Sequence, residues 1–440
     1  MATRLIEESR ISRLDPGRSP APGAYVLYWM QAAVRTRHNQ ALELAAQLAN
    51  RHGVPLLVFF GIDPDYPESS ARHHRFLIEG LGAITSTLDR RRIGLRVEVG
   101  PPPDLAAGLA GDSVLVVTDR SYLRHLRRWR HDMADGVAVP VYEVETNLVV
   151  PVEVASDKAE YAARTIRPKI HRHLDDYLID LTTTAVDHDG RHLGGGVDLS
   201  DPDGLIGSLG VDGRVRPSDN LRGGEHQARA VLDHFIGHSL ADYSDRRSEP
   251  TVPTTSGLSP FLHFGHISPI TILLALSEHT DGPGREAFVE ELVVRRELAH
   301  NYTWYRPDYD TYDALPEWAR TTLAEHATDP RPHLYSLSDL ETARTHDRYW
   351  NAAMVEMRET GFMHNYMRMY WGKQILAWTE SPRRAFQRAL YLNNRYLLDG
   401  RDPNSYANVA WCFGLHDRPW PEREVFGKVR TMTSGGLRSK

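Results

Sequence analysis

AYVLYWMQAAVRTRHNQALELAAQLANRHGVPLLVFF, residues 24–60, decides the fold of the first third of this chain. Ala24–Trp29 and Pro55–Phe60 are short apolar runs of strand length, and Asn39–Arg51 between them has helical spacing. The alternation continues through a helical stretch at His73–Arg91 and further strand-like runs at Leu95–Val99, Val114–Thr118 and Val139–Val144. Strands separated by helices predict a parallel sheet with right-handed crossovers. The turn after the first strand, MQAAVRTRHNQ, has no Gly-rich fingerprint, which disfavours a dinucleotide held by the usual phosphate loop.

The pattern changes twice beyond that region. Residues 151–225 read as an interdomain linker, in which Asp187–Gly223 is rich in Gly and Asp and weakly periodic. From 226 to 440 the spacing is helical almost throughout. Glu225–Ile236, Pro269–Ser277, Glu286–His300, Asp347–Thr360, Gly361–Trp378 and Pro382–Leu392 are the expected helices. The fold class is thus α/β + all-α, a parallel-sheet domain at 20–150 followed by a large helical domain.

Composition bounds the function. With 41% hydrophobic and 25% charged residues, the 440-residue chain is an ordinary globular sequence. It has no apolar run of transmembrane length, and its charged start lacks the apolar core of a secretory signal, so a cytoplasmic protein is expected. One cysteine, Cys412, excludes an internal disulfide and a multi-cysteine metal site. His171 and His173, like His263 and His266, lack a third ligand at useful spacing, so no metal is expected. A formal charge of −6 argues against a uniformly basic nucleic-acid coat but leaves room for a local basic patch.

The residues that could carry chemistry lie in the helical half. Thr255-Ser256-Gly257-Leu258-Ser259 precedes a helix and offers hydroxyls and backbone N–H groups, fit for a phosphate or for simple capping. Glu291 and Arg295 are spaced i,i+4 on one helix face, either as a solvated pair or with the carboxylate aimed into a pocket. Arg368 sits in the apolar stretch Met363–Trp371 and needs a carboxylate if buried; Asp399, Asp402 and Asp417 are the candidates. Trp371 and Trp378 are two turns apart on nearly one face, roughly 10.5 Å along a helix axis. Such a pair packs a core, and it is also a workable spacing for electron hopping.

Taken in order, several motifs resemble the photolyase/cryptochrome family, specifically the class II branch that acts on cyclobutane pyrimidine dimers. They are Tyr25–Met30, Asn39–Leu42, Ala155–Lys158, Arg164–Lys169, Leu258–Gly265, Val294–Leu298, Met367–Trp371, Leu398–Asn404 and Val425–Arg430. The resemblance covers nearly the whole chain. It implies a Rossmann-like N-terminal domain and FAD held in a bent form by the helical domain. It further implies that Tyr243 and Thr255–Ser259 bind the phosphates, and that Arg368, Asn393 and Asp417 surround the flavin ring. Asp399 and Asp402 fall in the family's flavin-contact loop. Under the same resemblance, Glu291, Met369 and Trp411 receive a dimer flipped out of UV-damaged DNA, while Trp420 and Arg430 fill the gap left in the duplex. Trp371, Trp350 and Trp378, from inside outward, pass electrons to the flavin.

The implied reaction is light-driven: excited reduced FAD lends an electron to the dimer, the ring splits, and the electron returns. A monomer is the family expectation, and a deazaflavin is the expected antenna in the N-terminal domain. Two places depart from the class II pattern: Asn365 replaces a residue that is usually Gly or another type, and Ser405–Gly414 is one residue shorter before His416. Three other readings stand beside this one. A cryptochrome commonly carries a long extension where this chain runs ten residues past Arg430. A (6-4) photoproduct enzyme uses paired active-site histidines, which are not evident. A nucleotide-binding α/β enzyme with an appended helical domain would be colourless.

Overall fold

Strands form where the sequence concentrates apolar residues. Among the described residues the seven are β1 (Ile11–Arg13), β2 (Tyr25–Trp29), β3 (Leu56–Ile62), β4 (Gly94–Val99), β5 (Ser113–Asp119), β6 (Val141–Val144) and β7 (Gly195–Gly196). They make one sheet in the order β1-β6-β5-β2-β3-β4-β7. Every residue of β2 and of β5 is buried, because helices cover both faces of the sheet centre. Val26 and Tyr28 pack on Leu42, Ala45 and Ile78 on one side, whereas Leu27 and Trp29 pack on Ala106, Ala110 and Met133 on the other. The helix Gln40–His52 starts where Asn39 accepts from the Leu42 N–H. The computed structural model describes residues 6–15, 17–279 and 281–438; residues 1–5 of the start considered above as a leader lie outside that range.

The sheet departs from the expected arrangement at both edges. β1 precedes residue 20 and pairs antiparallel with β6, so the sheet is not wholly parallel. β7 comes from the Gly-rich segment read as linker and extends the sheet beside β4. A Cβ on Gly196 would lie 1.8 Å from the Val97 carbonyl oxygen, so close backbone pairing explains a glycine that looked like linker composition. The same 151–225 region also holds the helices Ala163–Tyr177 and Pro202–Leu209. A two-residue strand and an eight-residue helix are too short to register as periodicity.

The remainder is helical. Glu225–His238, Pro269–Ser277, Arg348–Thr360, Asn365–Ala377, Pro382–Tyr396 and Pro403–Cys412 are its main helices. The expected helix Glu286–His300 is interrupted: a π turn at Glu290–Arg295 joins Pro283–Val289 to Arg296–Tyr305.

Buried guanidinium groups dock the two lobes. Arg72, 1% exposed, donates to the carbonyls of Met357 (3.1 Å), Tyr396 (2.7 Å), Arg358 (2.5 Å) and Glu359 (3.2 Å) across the interface. Arg35 donates to Gly265 O at 3.1 Å and Thr146 O at 2.6 Å. Gly265 has φ +72°, and a Cβ there would lie 1.9 Å from Ala32 O, so only glycine lets the helical lobe approach this closely. Replacing Arg72 by Met strands four carbonyls at the interface. The expected loss is roughly 2–5 kcal/mol, read as a lower denaturant midpoint at unchanged slope.

Candidate functional site

The helix Asn365–Ala377 organises the site. His364 caps it, its side chain accepting from the Tyr366 N–H. One turn in, the Arg368 Nη1 lies 3.0 Å from Asp399 Oδ2, and its Nε donates to Met363 O at 2.9 Å. Asp399 sits in the turn after the helix Pro382–Tyr396. That turn is fastened by Asn394, whose Oδ1 accepts from the Arg401 N–H at 3.0 Å and from Asn393 Nδ2 at 3.1 Å. Asp399 Oδ1, His364 Nε2 and Trp371 Nε1 are buried and have no hydrogen-bond partner. Buried polar atoms are rarely left unpaired, so three on and beside one helix point to a polar ligand among them.

Of the three carboxylates considered for Arg368, Asp399 is the partner. Asp402 turns the other way, toward His263 Nδ1 at 3.2 Å, and caps the helix Pro403–Cys412 by accepting from Asn404 N at 2.8 Å. Burial alone would raise its pKa, but the His263 hydrogen bond and nearby positive charge hold it well below the carboxylate range. Asp417 is not paired with Arg368 either; it accepts from Trp420 Nε1 at 3.3 Å and from the Arg418 N–H at 2.9 Å. Its place is set by the loop after the helix Pro403–Cys412, where His416 takes φ 57°.

Three indoles stand in series beside Arg368. Trp350 and Trp371 are stacked, with ring centroids 6.4 Å apart and planes at 8°. Trp350 and Trp378 meet edge-on at 5.7 Å. Trp350 comes from the neighbouring helix Arg348–Thr360 and slots between two tryptophans of one helix, its Nε1 donating to Trp371 O at 3.0 Å. All three are buried.

On another side the π turn redirects Glu291. It does not pair with Arg295, which binds Glu290 instead at 3.0 Å; Glu291 Oε1 accepts from Arg247 Nη1 at 2.6 Å. The extra residue of a π turn rotates the i,i+4 face, so the pair expected from α spacing is not made. Arg247 lies against Tyr243, which packs on Phe235 and Phe288 and is raised to about 12 by burial first and then by Glu291. The nearby Thr255–Ser259 run turns at Gly257 (φ 67°), and Ser256 Oγ accepts from the Leu258 N–H at 3.4 Å.

The opposite side of Asn365–Ala377 meets a cationic and aromatic cluster. Arg430 lies 5.9 Å from the Trp411 ring and 4.7 Å from the Trp420 ring, and Arg418 covers Trp420 at 5.0 Å. Met369, Trp411 and Arg430 line one open cavity. Lys373 is fully buried beneath Trp411, with Nζ 5.0 Å from the ring and 2.5 Å from Cys412 O. Lys373, Arg418 and Arg247 were not singled out from sequence. The burial argument that flagged Arg368 applied equally to Lys373, five residues further along the same helix.

A second cavity opens at the C-terminal ends of β2 and β5, where the strand order reverses direction, against the helical lobe. Trp29, Tyr66, Trp129, His263 and Arg401 are among its walls. Arg401 is 4% exposed, and its Nε and Nη2 have no partner.

An α/β lobe docked on a helical lobe that carries a partly buried Arg–Asp pair and a file of indoles is the arrangement of a light-dependent flavoprotein. The sequence pattern of the DNA photolyase family matches residues 26–187. A deoxyribodipyrimidine photo-lyase of Methanothermobacter thermautotrophicus is 46% identical over 99% of this chain and 96% of its own. One from Potorous tridactylus is 38% identical over 94% of this chain and 79% of its own. Among solved structures, an archaeal photolyase from Sulfolobus tokodaii with two FAD molecules superposes with a TM-score of 0.71, covering 94% of this chain and 87% of that one at 16% identity. The chain belongs to the DNA photolyase family.

Lys373 gives a pH test of this geometry. Burial first, with Arg430 adding, lowers its pKa from 10.5 to about 8. The unfolded chain therefore holds a proton that the folded chain lacks between those values, and stability contributed at this site rises with pH across that window. The stability of the wild type relative to Lys373→Met is expected to improve between pH 8 and 10, by at most about 1.4 kcal/mol per unit, in parallel denaturation curves. A flat difference would mean that the amine is not buried as described.

Proposed function

We propose that this chain repairs cyclobutane pyrimidine dimers in UV-damaged DNA, as a class II photolyase that uses reduced FAD and light. The observation that carries the reading is the file Trp371–Trp350–Trp378, which begins beside the Arg368–Asp399 pair and its unpaired polar atoms. Those atoms fit a flavin: a carboxylate oxygen, an imidazole nitrogen and an indole N–H can meet the donors and acceptors of its ring edge. FAD, when bound there, supplies one-electron photochemistry.

The chain's own residues do the rest. Arg368, neutralised in part by Asp399, gives a positive field that favours an anionic ring, and Asn393 stands at the same turn. Asp399 belongs to this group by its ion pair; Asp402 and Asp417 act more remotely, through helix capping and through Trp420. Tyr243 and Thr255–Ser259 line the phosphate end. Trp411 offers an apolar face for a pyrimidine dimer flipped out of the duplex, with Met369 beside it and Glu291 available to a base edge. Arg247 fixes that carboxylate. Arg430 and Trp420, already stacked, present a flat cationic wedge to the duplex.

The antenna reading is a deazaflavin in the switch-point cavity. Aromatic walls suit a planar tricycle, and the unpartnered Arg401 N–H groups suit a carbonyl or phenolate edge.

Two experiments test the reading. Purified protein should show a flavin absorption band that bleaches under blue light with a reductant. In Trp350→Phe, bleaching should be slowed severely while dimer repair survives if the flavin is reduced chemically beforehand. Loss of both would refute the separation between the indole file and the lesion pocket. Trp411→Ala should weaken binding of dimer-containing DNA by roughly 1–3 kcal/mol per stacked base, with little change for undamaged DNA, in competition binding assays.

A further inference from the structure

The loop that carries Trp420 and Arg430 is fastened to the end of one helix. It closes on itself, since the Trp420 N–H donates to Lys428 O at 2.8 Å and Arg423 and Gly427 exchange backbone hydrogen bonds at 2.9 and 2.8 Å. Those bonds bring Trp420 and Arg430 together at its base. The loop lies on the helix Glu317–Glu325, where the Lys428 N–H donates to Thr322 Oγ1 at 3.0 Å. Gly427 has φ 52°, and a Cβ there would stand 2.2 Å from the same oxygen, so only glycine allows this approach. Two residues earlier Val425 takes φ 66°, a costly conformation for a β-branched residue that persists only where its surroundings enforce it. Asp329 Oδ2 accepts the Val425 N–H at 2.8 Å and so holds that turn.

One histidine ties Asp329 to the far side of the loop. His326 follows the helix Glu317–Glu325 as its C-cap, with Nδ1 2.6 Å from the same Asp329 Oδ2 and Nε2 2.8 Å from Glu422 Oε1. A neutral imidazole has one N–H and one lone pair, and a carboxylate offers only lone pairs. A ring with an ionised carboxylate at each nitrogen must therefore carry both protons. The helix end adds its negative dipole, which favours that cation. Hydrogen bonding to Glu422 first and to Asp329 next raises the His326 pKa above its usual value. Asp329 and Glu422 are the charged groups that meet the ring. Arg331 acts on Asp329, Glu325 precedes the ring on its own helix, and Arg423, Glu424 and Lys428 are the other charges of the loop between Trp420 and Arg430.

We propose that His326, held as an imidazolium between Asp329 and Glu422, is the positioning residue that latches the Trp420–Arg430 loop for lesion binding. The proposal rests on that loop filling the gap left by the flipped dimer, as read above. Loss of the ring proton leaves one N–H for two carboxylates. Glu422, with its side chain 53% exposed, is then free to turn to water, and the loop keeps only its attachments at Thr322 and Asp329. The wedge of Trp420 and Arg430 loses its fixed place. Because the folded state raises the pKa of the ring, the latch is closed below that raised value and opens as pH rises through it. The deprotonated cluster also carries one more negative charge, which repels any phosphate backbone, damaged or not. Positioning of the wedge, by contrast, matters only where a dimer has left a gap to fill.

The test uses the FAD-loaded enzyme in the dark, so that lesions are bound and not repaired. Binding to a duplex with one cyclobutane dimer, and to the same duplex undamaged, is measured at fixed salt from about pH 6 to about pH 9. Wild-type affinity for the dimer duplex should fall by about three- to tenfold across that range, the scale of two partly exposed ion pairs, with a smaller change for undamaged DNA. His326→Gln should bind the dimer duplex weakly throughout and lose the pH dependence. Glu422→Gln, a second and milder variant, should move the fall to lower pH. The flavin absorption of each variant reports that it is folded. In the protein without DNA, nitrogen resonances should show both His326 ring nitrogens protonated at neutral pH. A neutral His326 ring there, an equal loss on both duplexes, or a lesion-specific loss that survives His326→Gln would overturn the latch and leave the loop's role in DNA binding standing. No preference of the wild type for the dimer duplex at any pH would overturn both.

Discussion

The rest of the site depends on where Arg72 places its charge. Its guanidinium reaches Met357, Arg358 and Glu359 at the end of the helix that carries Trp350, and Tyr396 at the end of the helix that carries Asn393. Helix C-termini expose unpaired carbonyls and a negative dipole end, so one cation there satisfies both. The α/β lobe thus sets the relative position of two helices whose side chains meet near Arg368. His73, the next residue, adds a contact from Nε2 to Leu397 O at 3.0 Å. A buried cation bound only to carbonyls has no carboxylate to share the cost of its desolvation, so its geometry must be met on every side. That makes the docking of the lobes specific as well as stable.

The helix Asn365–Ala377 then has to serve three surroundings at once. At 100° per residue, Met369 and Lys373 share one face, while Trp371 and the following Trp378 share the opposite one, and Arg368 projects between them. One face meets Trp411, one takes Trp350 between its tryptophans, and the third holds the ion pair with Asp399. A helix used on all sides shows no single apolar stripe. For that reason amphipathicity said little about it; the cost of burying Arg368 called for a carboxylate and left Asp399, Asp402 and Asp417 open, and the structure pairs it with Asp399.

Legibility followed the same physics elsewhere. β2 and β5 could be read because strands buried on both faces are apolar throughout and are bounded by turns. The edges of the sheet could not, since β1 and β7 are two or three residues long and owe their place to pairing partners far away in sequence. Trp371 and Trp378 announced their shared face by spacing. The position of Trp350 between them depends on how two helices pack, and only the family resemblance supplied its rank. For Glu291 the spacing left a pair with Arg295 and a carboxylate aimed into a pocket both open; the pair is not made, and the π turn responsible leaves no mark on sequence spacing. Asp402 and Asp417 were assigned to the flavin group by resemblance; in the structure Asp402 caps a helix and binds His263, and Asp417 binds Trp420.

Charge is distributed to match the two tasks of the helical lobe. The whole chain is acidic at −6, yet Lys373, Arg418 and Arg430 converge on Trp411 and Trp420. A local positive field against an acidic background draws a phosphate backbone to one place and discourages it elsewhere. The indoles Trp371, Trp350 and Trp378 are buried, and Trp378 borders the same open cavity as Met369, Trp411 and Arg430. The helix Asn365–Ala377 thus supplies residues both to the buried aromatic stack and to the wall of the cationic cavity.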